Sequence, residues 1–252
     1  MTVAIIFFIG LMFVVLFTRE VIAPASKASC DKRWLRMAGL VNLSQMVAAV
    51  LTGWVFQETF AANALFPVPD LSSPVAGALI FFVASFIAYW WHRLMHASPL
   101  VWRLVHQLHH SPSRIETLTA FYAHPLDSMF ATVITCSVAY LLFGFGPDAT
   151  VWSILYVSAF NFYIHSDTRS PRWVGYIVQR PEMHRVHHKL DHHAQNYGLP
   201  LWDMLFGTWV NPTEYVKECG FSQDRGLRIH DMLLGHDVNP QELESAEPQR
   251  DA

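Results

Sequence analysis

Hydrophobic and polar positions fall into long blocks along this chain. Five blocks, Val3–Phe17, Met37–Phe56, Pro74–Trp91, Ser128–Phe145 and Ala149–Ile164, hold almost no ionisable residue. A helix that crosses a bilayer needs about 20 mostly apolar residues, with a range of roughly 17–25. The second and third blocks meet that length, and the other three sit at or below its lower edge. The last two are joined by the polar turn "GPDAT" and read as a hairpin that only just crosses. One such block would suit a soluble core, but five within the first 165 residues point to a membrane. The pattern predicts an all-α, multi-pass membrane helical bundle of about four to five spans, with a cytoplasmic helical cap.

Charge placement supports this. Segments 18–36, 92–127 and 165–252 hold all 17 Lys and Arg residues, and the connections "QETFAANALFPVPDLSS" and "GPD" hold none. Positive loops stay on the cytoplasmic side, so five crossings place the amino terminus outside and the carboxyl terminus inside. The first block has no positive residue before it and reads as an uncleaved span rather than a signal peptide. The expected organisation is membrane helices over 1–80, a core over 81–211 and a polar, net acidic tail over 212–252, disordered at its end. "SPSR" at 111–114 predicts a turn and a helix start. The run "NYGLPLWDMLFGTWVNP", interrupted by Asp203 and Gly207, reads as a membrane-surface segment or as packing beneath the polar region.

Composition narrows the function. The chain is 52% hydrophobic and only 15% charged, with a formal charge of −3. Nothing in it suits nucleic acid, because no basic run interleaves with aromatics. Cys30, Cys136 and Cys219 are three and far apart, so they predict neither a disulfide framework nor a metal knuckle.

Histidine carries the chemistry. "HRLMH" at 92–96, "HQLHH" at 106–110 and "HRVHH" at 184–188 use eight of the 14 histidines. Imidazole suits iron, zinc, copper or nickel. On a helix, side chains at i, i+3 and i+4 share a face, so each box is expected to present a single patch. Eight such nitrogens exceed what one tetrahedral zinc uses and suit two metals side by side. His165, at the end of the fifth block, lies at the same membrane depth and joins the set as a ninth ligand. A lone histidine is more often a hydrogen-bonded core residue; three boxes reverse that reading. His124 reads as a ligand, as a donor behind one, or as the residue that starts the fourth span before Pro125. His192 and His193 read as supporting or surface residues. Asp127, Asp167 and Asp191 lie near the boxes and are placed to orient a ligand or simply to face solvent. His230 and His236 read as spectators.

HxxxH and two HxxHH boxes at the cytoplasmic ends of membrane helices resemble the fatty acid hydroxylase/sterol desaturase superfamily. "AHPLD", "IHS" and "NYGLPLWDMLFGTW" belong to the same resemblance, which runs from about Phe82 to Val210. It implies an integral-membrane di-iron oxygenase with metal ligands at His92, His96, His106, His109, His110, His184, His187 and His188, and His165 as ninth. Hydroxylases of the family that carry a further histidine four residues after the ninth have it where Arg169 stands here. The tenth position is therefore open among water, His124, His192 and Asn196. The implied reaction is hydroxylation or desaturation of a lipid from the bilayer, with two iron ions, dioxygen and an external ferredoxin- or cytochrome-type electron donor. No residues beyond the metal centre are needed for catalysis. Two rival readings are a membrane zinc hydrolase, which would leave five or more histidines idle, and a metal transporter, whose sites lie near the membrane midplane.

Overall fold

The computed structural model describes residues 2–26, 30–60, 64–68, 71–190, 192 and 194–239. His193, Asp191 and the end of the expected tail lie outside the described residues. Among the described residues there are helices and no strand, with one isolated bridge between Lys189 and Cys219.

Five long helices build the bundle: α1 (Thr2–Ile22), α2 (Lys32–Phe60), α3 (Ser73–Ala97), α6 (Pro125–Cys136, continued by a π-helical turn over Ser137–Leu142) and α7 (Pro147–His165). Shorter helices carry the rest: α4 (Pro99–Val101), α5 (Gln107–His110), α8 (Pro181–His187), α9 (Pro200–Leu205) and α10 (Ile229–Leu233). Proline stands in the first turn of α3, α4, α6, α7, α8 and α9. Its fixed φ and missing N–H suit that position and no later one, so these prolines set where each helix starts.

Four helices, Thr2–Ile22, Lys32–Thr59, Ser73–Ala97 and Pro125–Leu142, are long and apolar enough to cross a membrane. The first exposes side chains such as Phe7, 72% accessible, and buries only Ile5 and Glu20. The fifth expected span is α7, a 19-residue helix of about 28 Å. Its Thr150, Ser153 and Ser158 are buried against the bundle, so it needs less apolar surface than a lipid-facing helix. Helices run on past the apolar blocks at their ends: α2 begins at Lys32 rather than Met37, and α3 continues through His92 and His96.

Contacts fix the directions. Thr2 bonds to Asp148, and Phe13 meets Phe162, so α1 and α7 run parallel. Gly77 of α3 faces Ala149–Ser153 of α7, where a Cβ would come within 2.5 Å of Trp152, and Phe81 meets Phe160. Ser128 of α6 bonds to Gln45 of α2, and Gly53 of α2 lies against Thr132. Trp91 of α3 meets Phe130 of α6. Thus α1, α3 and α7 arrive at one face of the bundle, and α2 and α6 leave it. Residues 98–124 and 166–239 form a cap on that face.

One expectation is corrected there. Ser111–Arg114 makes a turn, but a 3₁₀ turn over Thr117–Phe121 follows instead of an α-helix. Glu20 from α1 captures the Thr117 N–H at 2.9 Å, which commits that backbone group elsewhere, and the Arg114 and Glu116 side chains pair at 2.6 Å. The tail up to residue 239 folds over the second box. Phe221, Met232 and Val238 bury themselves with Trp102 and Leu108, and Gln107 bonds to the His236 carbonyl at 2.8 Å.

Candidate metal centre

The three boxes reach the cap face by different local structures. His92 and His96 lie on the last turns of α3. The second box opens on the last residue of a π-helical turn over Trp102–His106 and continues through α5. The third occupies α8, with His188 as its C-cap. His165 ends α7.

Nine histidines converge into two groups, within each of which the candidate ligand atoms lie within 4.8 Å of one another. One group holds His92, His96, His106, His110 and His187; the other holds His109, His165, His184 and His188. The expected single patch per box is therefore corrected. Each HxxHH box gives its i, i+4 pair to one group and lends its middle histidine to the other. Residues i and i+4 lie about 40° apart around an α-helix, whereas i+3 and i+4 lie about 100° apart. His109 and His187 thus point away from their box partners and cross between the groups.

Hydrogen bonds fix the ring orientations. The Nδ1–H groups of His92, His109, His165 and His187 donate to the carbonyls of Tyr197 (2.7 Å), Tyr122 (3.2 Å), Asn161 (2.9 Å) and Gln195 (2.8 Å). His106 Nδ1 meets the Asp127 carboxylate at 2.9 Å. A carbonyl only accepts, so Nδ1 carries the proton and Nε2 presents its lone pair. His92 and His106 then face each other Nε2 to Nε2 at 3.0 Å, and His109 and His165 at 3.2 Å. The buried Nε2 of His187 has no hydrogen-bond partner. Lone pairs held this close repel one another, and a cation placed between them turns them into ligands. The residues fit a metal ion.

The spacing also bears on which metal. At a metal–nitrogen distance of about 2.1 Å, two ligands stand about 3.0 Å apart at a right angle and about 3.4 Å apart at the tetrahedral angle. The other facing pairs are 3.1 Å for His106–His110, 2.9 Å for His165–His184 and 3.1 Å for His184–His188. Four of the five separations lie nearer the right-angle value, and the His109–His165 pair lies midway between the two. Burial, followed by the charges of neighbouring imidazoles, holds His109, His184, His187 and His188 well below the ordinary imidazole pKa. They are neutral, which is the form that binds metal.

The candidates for a tenth ligand lie elsewhere. His124 caps α6: its Nδ1 accepts the Leu126 N–H at 3.1 Å, and its Nε2–H donates to the Leu233 carbonyl. Asn196, fully buried, spends its amide on the Met183 carbonyl and the Val210 N–H, each at 2.9 Å. His192 belongs to neither group; its backbone N–H donates to the Lys189 carbonyl. Of the acids near the boxes, Asp127 orients His106, and Asp167 accepts from Ser26 and Tyr215.

Sequence reasoning missed the supports behind the ligands. Asp203 is fully buried, and its carboxylate accepts the N–H groups of Tyr197 (2.8 Å) and Gly198 (3.1 Å) and the Thr208 hydroxyl (2.7 Å). It thereby holds the turn whose Tyr197 carbonyl orients His92. Gln195 and Asn196 both have positive φ, 65° and 48°, and that turn aims the Gln195 carbonyl at His187. The signal available was the acid interrupting the "LPLWDMLF" run. Glu20, beside Arg19 just past the first apolar block, carried no such signal.

A family model described as fatty acid hydroxylase matches residues 77–208, or 132 of the 252 residues. Very-long-chain aldehyde decarbonylase GL1-9 of Oryza sativa subsp. indica is 27% identical over 196 residues, covering 72% of this chain and 73% of that protein. Alkylglycerol monooxygenase of Xenopus tropicalis is 29% identical over 149 residues, 57% of this chain and 32% of that protein. Ornithine lipid hydroxylase OlsE of Rhizobium tropici is 33% identical over 140 residues, 52% of this chain and 40% of that protein. No solved structure matches the chain. With its histidines gathered at one end of a membrane-helix bundle and half its length matched, the chain belongs to the fatty acid hydroxylase family and is a membrane oxidoreductase of the hydroxylase type.

Proposed function

We propose that this chain is a di-iron oxygenase that hydroxylates an unactivated C–H bond of a lipid taken from the bilayer, or desaturates it by a second hydrogen abstraction. The observation that carries the reading is the convergence of nine imidazoles, eight of them buried, into adjoining groups of five and four. The metal ligands are His92, His96, His106, His110 and His187 in one group and His109, His165, His184 and His188 in the other. Two irons, when bound, supply the redox chemistry that activates dioxygen.

This chain's own residues orient, shield and admit. Carbonyls and Asp127 turn the Nε2 atoms inward, so no ring has to reorganise. The Trp102 ring lies 5.2 Å from both His96 and His110, and the Tyr197 ring 5.4 Å from His92 and His96. Together they wall the five-histidine group from water, which protects a reactive oxidant from side reactions. The four-histidine group has fewer protein donors and therefore more room for exogenous ligands. His92 and His165 sit at helix ends, so the site lies at membrane depth and within reach of a lipid chain. Electrons come from an external ferredoxin- or cytochrome-type donor that meets the cap.

Among the described residues all 15 Lys and Arg fall in the segments on the histidine face, which supports a cell or inner membrane with the site on its cytoplasmic side. Nine converging imidazoles exceed what a zinc hydrolase uses, and the position at the helix ends disfavours a transporter.

Metal analysis of the purified protein, paired with mass spectrometry of lipid extracts with and without the gene, tests the reading. Two irons per chain and lipids gaining one oxygen, or losing two hydrogens, are expected. A single zinc with unchanged lipids would overturn it.

A further inference from the structure

The α1 helix supplies no histidine, yet its last turn buries Glu20 completely. A carboxylate in that position needs partners. It finds three donors: the Thr117 N–H at 2.9 Å, the Thr117 hydroxyl at 2.8 Å and the Asp167 N–H at 2.7 Å. Asp167 follows His165 by two residues. Thr117 opens the 3₁₀ turn that leads to Tyr122, whose carbonyl receives His109 Nδ1–H. The two segments that Glu20 joins are thus those that place His165 and His109, whose Nε2 atoms face each other.

The latch is reciprocal. While Glu20 takes the amide of Asp167, the Asp167 carboxylate takes the Ser26 N–H at 3.1 Å and the Ser26 hydroxyl at 2.6 Å. Chain leaving α1 is thereby bound to chain leaving α7.

We propose that Glu20 is a positioning residue for the four-histidine group: by bridging the Thr117 and Asp167 segments it sets the His109–His165 separation, and with it the metal affinity of that group. This rests on the metal reading above. The five-histidine group takes its supports from Asp127, Tyr197 and Gln195, so Glu20 acts on one group and not the other. Support residues behind metal ligands typically change affinity by about 10–100-fold.

The test is competitive metal removal by a chelator from the full chain in lipid nanodiscs, followed by metal per chain and by the visible spectrum of the cobalt-loaded protein. Glu20→Ala is expected to lose metal from the four-histidine group at about 10–100-fold lower chelator concentration and to keep the other. Glu20→Gln, which retains one acceptor oxygen, recovers part of that loss. Glu20→Ala combined with His184→Ala should release metal no more readily than His184→Ala alone, because both act on one group.

Wild-type-like retention by Glu20→Ala would overturn the proposal, and so would equal loss from both groups. If Glu20→Ala does not fold, Thr117→Val decides, since it deletes only the hydroxyl donor: weaker retention at the four-histidine group supports the proposal and none overturns it. A wild-type chain that holds no metal there would remove the metal reading and this proposal together, whereas full wild-type loading with an unaffected Glu20→Ala removes the proposal alone.

Discussion

His110 and His188 stack ring on ring, their centroids 4.2 Å apart and their planes within 18°, although they belong to different histidine groups. This contact is where the two groups adjoin, and His109 and His187 flank it as the two residues that cross over. Each group therefore depends on both HxxHH boxes, and neither of those two can be removed without touching both groups. His109→Ala takes one of four donors from its group and is expected to release the metal there and abolish turnover. His187→Ala takes one of five and should weaken the other group. Metal per chain and lipid oxidation measured on both variants check this; turnover retained by His109→Ala contradicts it.

Asp203 acts on the site from further back. Three donors converge on its carboxylate, and burial pushes its pKa up to about 6. Asp203→Asn replaces one acceptor oxygen with an N–H that faces another donor. The Tyr197 turn should loosen and His92 lose its orientation. The expected outcome is roughly 10-fold weaker metal retention by the five-histidine group, read by chelator competition, with the four-histidine group unchanged. Loss from the four-histidine group instead would show that Asp203 supports the cap as a whole.

His124 separates capping from ligation. An N-cap exchanged for alanine costs about 0.5–2 kcal/mol, while asparagine is among the best caps. His124→Asn is therefore expected to keep stability, metal and activity, and His124→Ala to lower the thermal midpoint with both metals retained. Loss of metal in both variants would make His124 a ligand.

Much of this site is legible in the sequence because ligands must recur at helical spacing, and His-x-x-His-His twice in one chain is hard to account for without a metal. The division of each box between two groups is not legible. Spacing says which side chains share a helix face, but which neighbour lies opposite that face depends on how α5 and α8 meet. The supports are hidden for a different reason. Tyr122, Asn161, Gln195 and Tyr197 act through backbone carbonyls, which every residue possesses, so their identities carry no signal. Asp203 does leave a trace as an acid in an apolar run, where an unpaired carboxylate has no place, whereas Glu20 stands beside Arg19 past the first apolar block and reads as a loop acid. The α7 span stands out as a block but looks too short, since its buried serines and threonine face helices rather than lipid.

Gly77 shows what holds α3 and α7 together. A Cβ there would lie 2.5 Å from Trp152 Cβ and 2.9 Å from the Ala149 carbonyl oxygen, and backbone cannot yield as a side chain does. These two helices carry His92, His96 and His165, so their separation sets the distance between the groups. Small residues serve the same close approach in membrane helix pairs generally. Gly77→Ala is expected to destabilise by about 1–3 kcal/mol, and Gly77→Leu to abolish folding. Detergent-resistance and thermal-unfolding measurements check this; a Gly77→Leu chain of wild-type stability would show that α3 and α7 do not meet here.

The short helix α9 extends the lipid-facing surface beyond the spans. Its Trp202 meets Phe82 and Phe86 of α3 at 5.2 and 5.0 Å and bonds to Ser85 at 2.9 Å. Ser85 precedes His92 by seven residues, about 10 Å along the helix axis, so α9 lies alongside the span rather than above it. Leu205 is 63% exposed, and Leu201 and Met204 are exposed beside it, on the same side as the exposed α3 residues Phe82, Phe86 and Trp90. Backbone at that depth cannot rely on water, and Asp203 meets the need by taking the two amides that precede α9. A nitroxide at Leu205→Cys in nanodiscs is therefore expected to relax strongly with oxygen and weakly with a water-soluble nickel chelate, as would a label on Phe86→Cys. A label on His230→Cys, exposed on the cap helix α10, should show the reverse, with activity unchanged. Preferential relaxation of the Leu205 label by the nickel chelate would place α9 in water and end the view of a cap seated in the membrane.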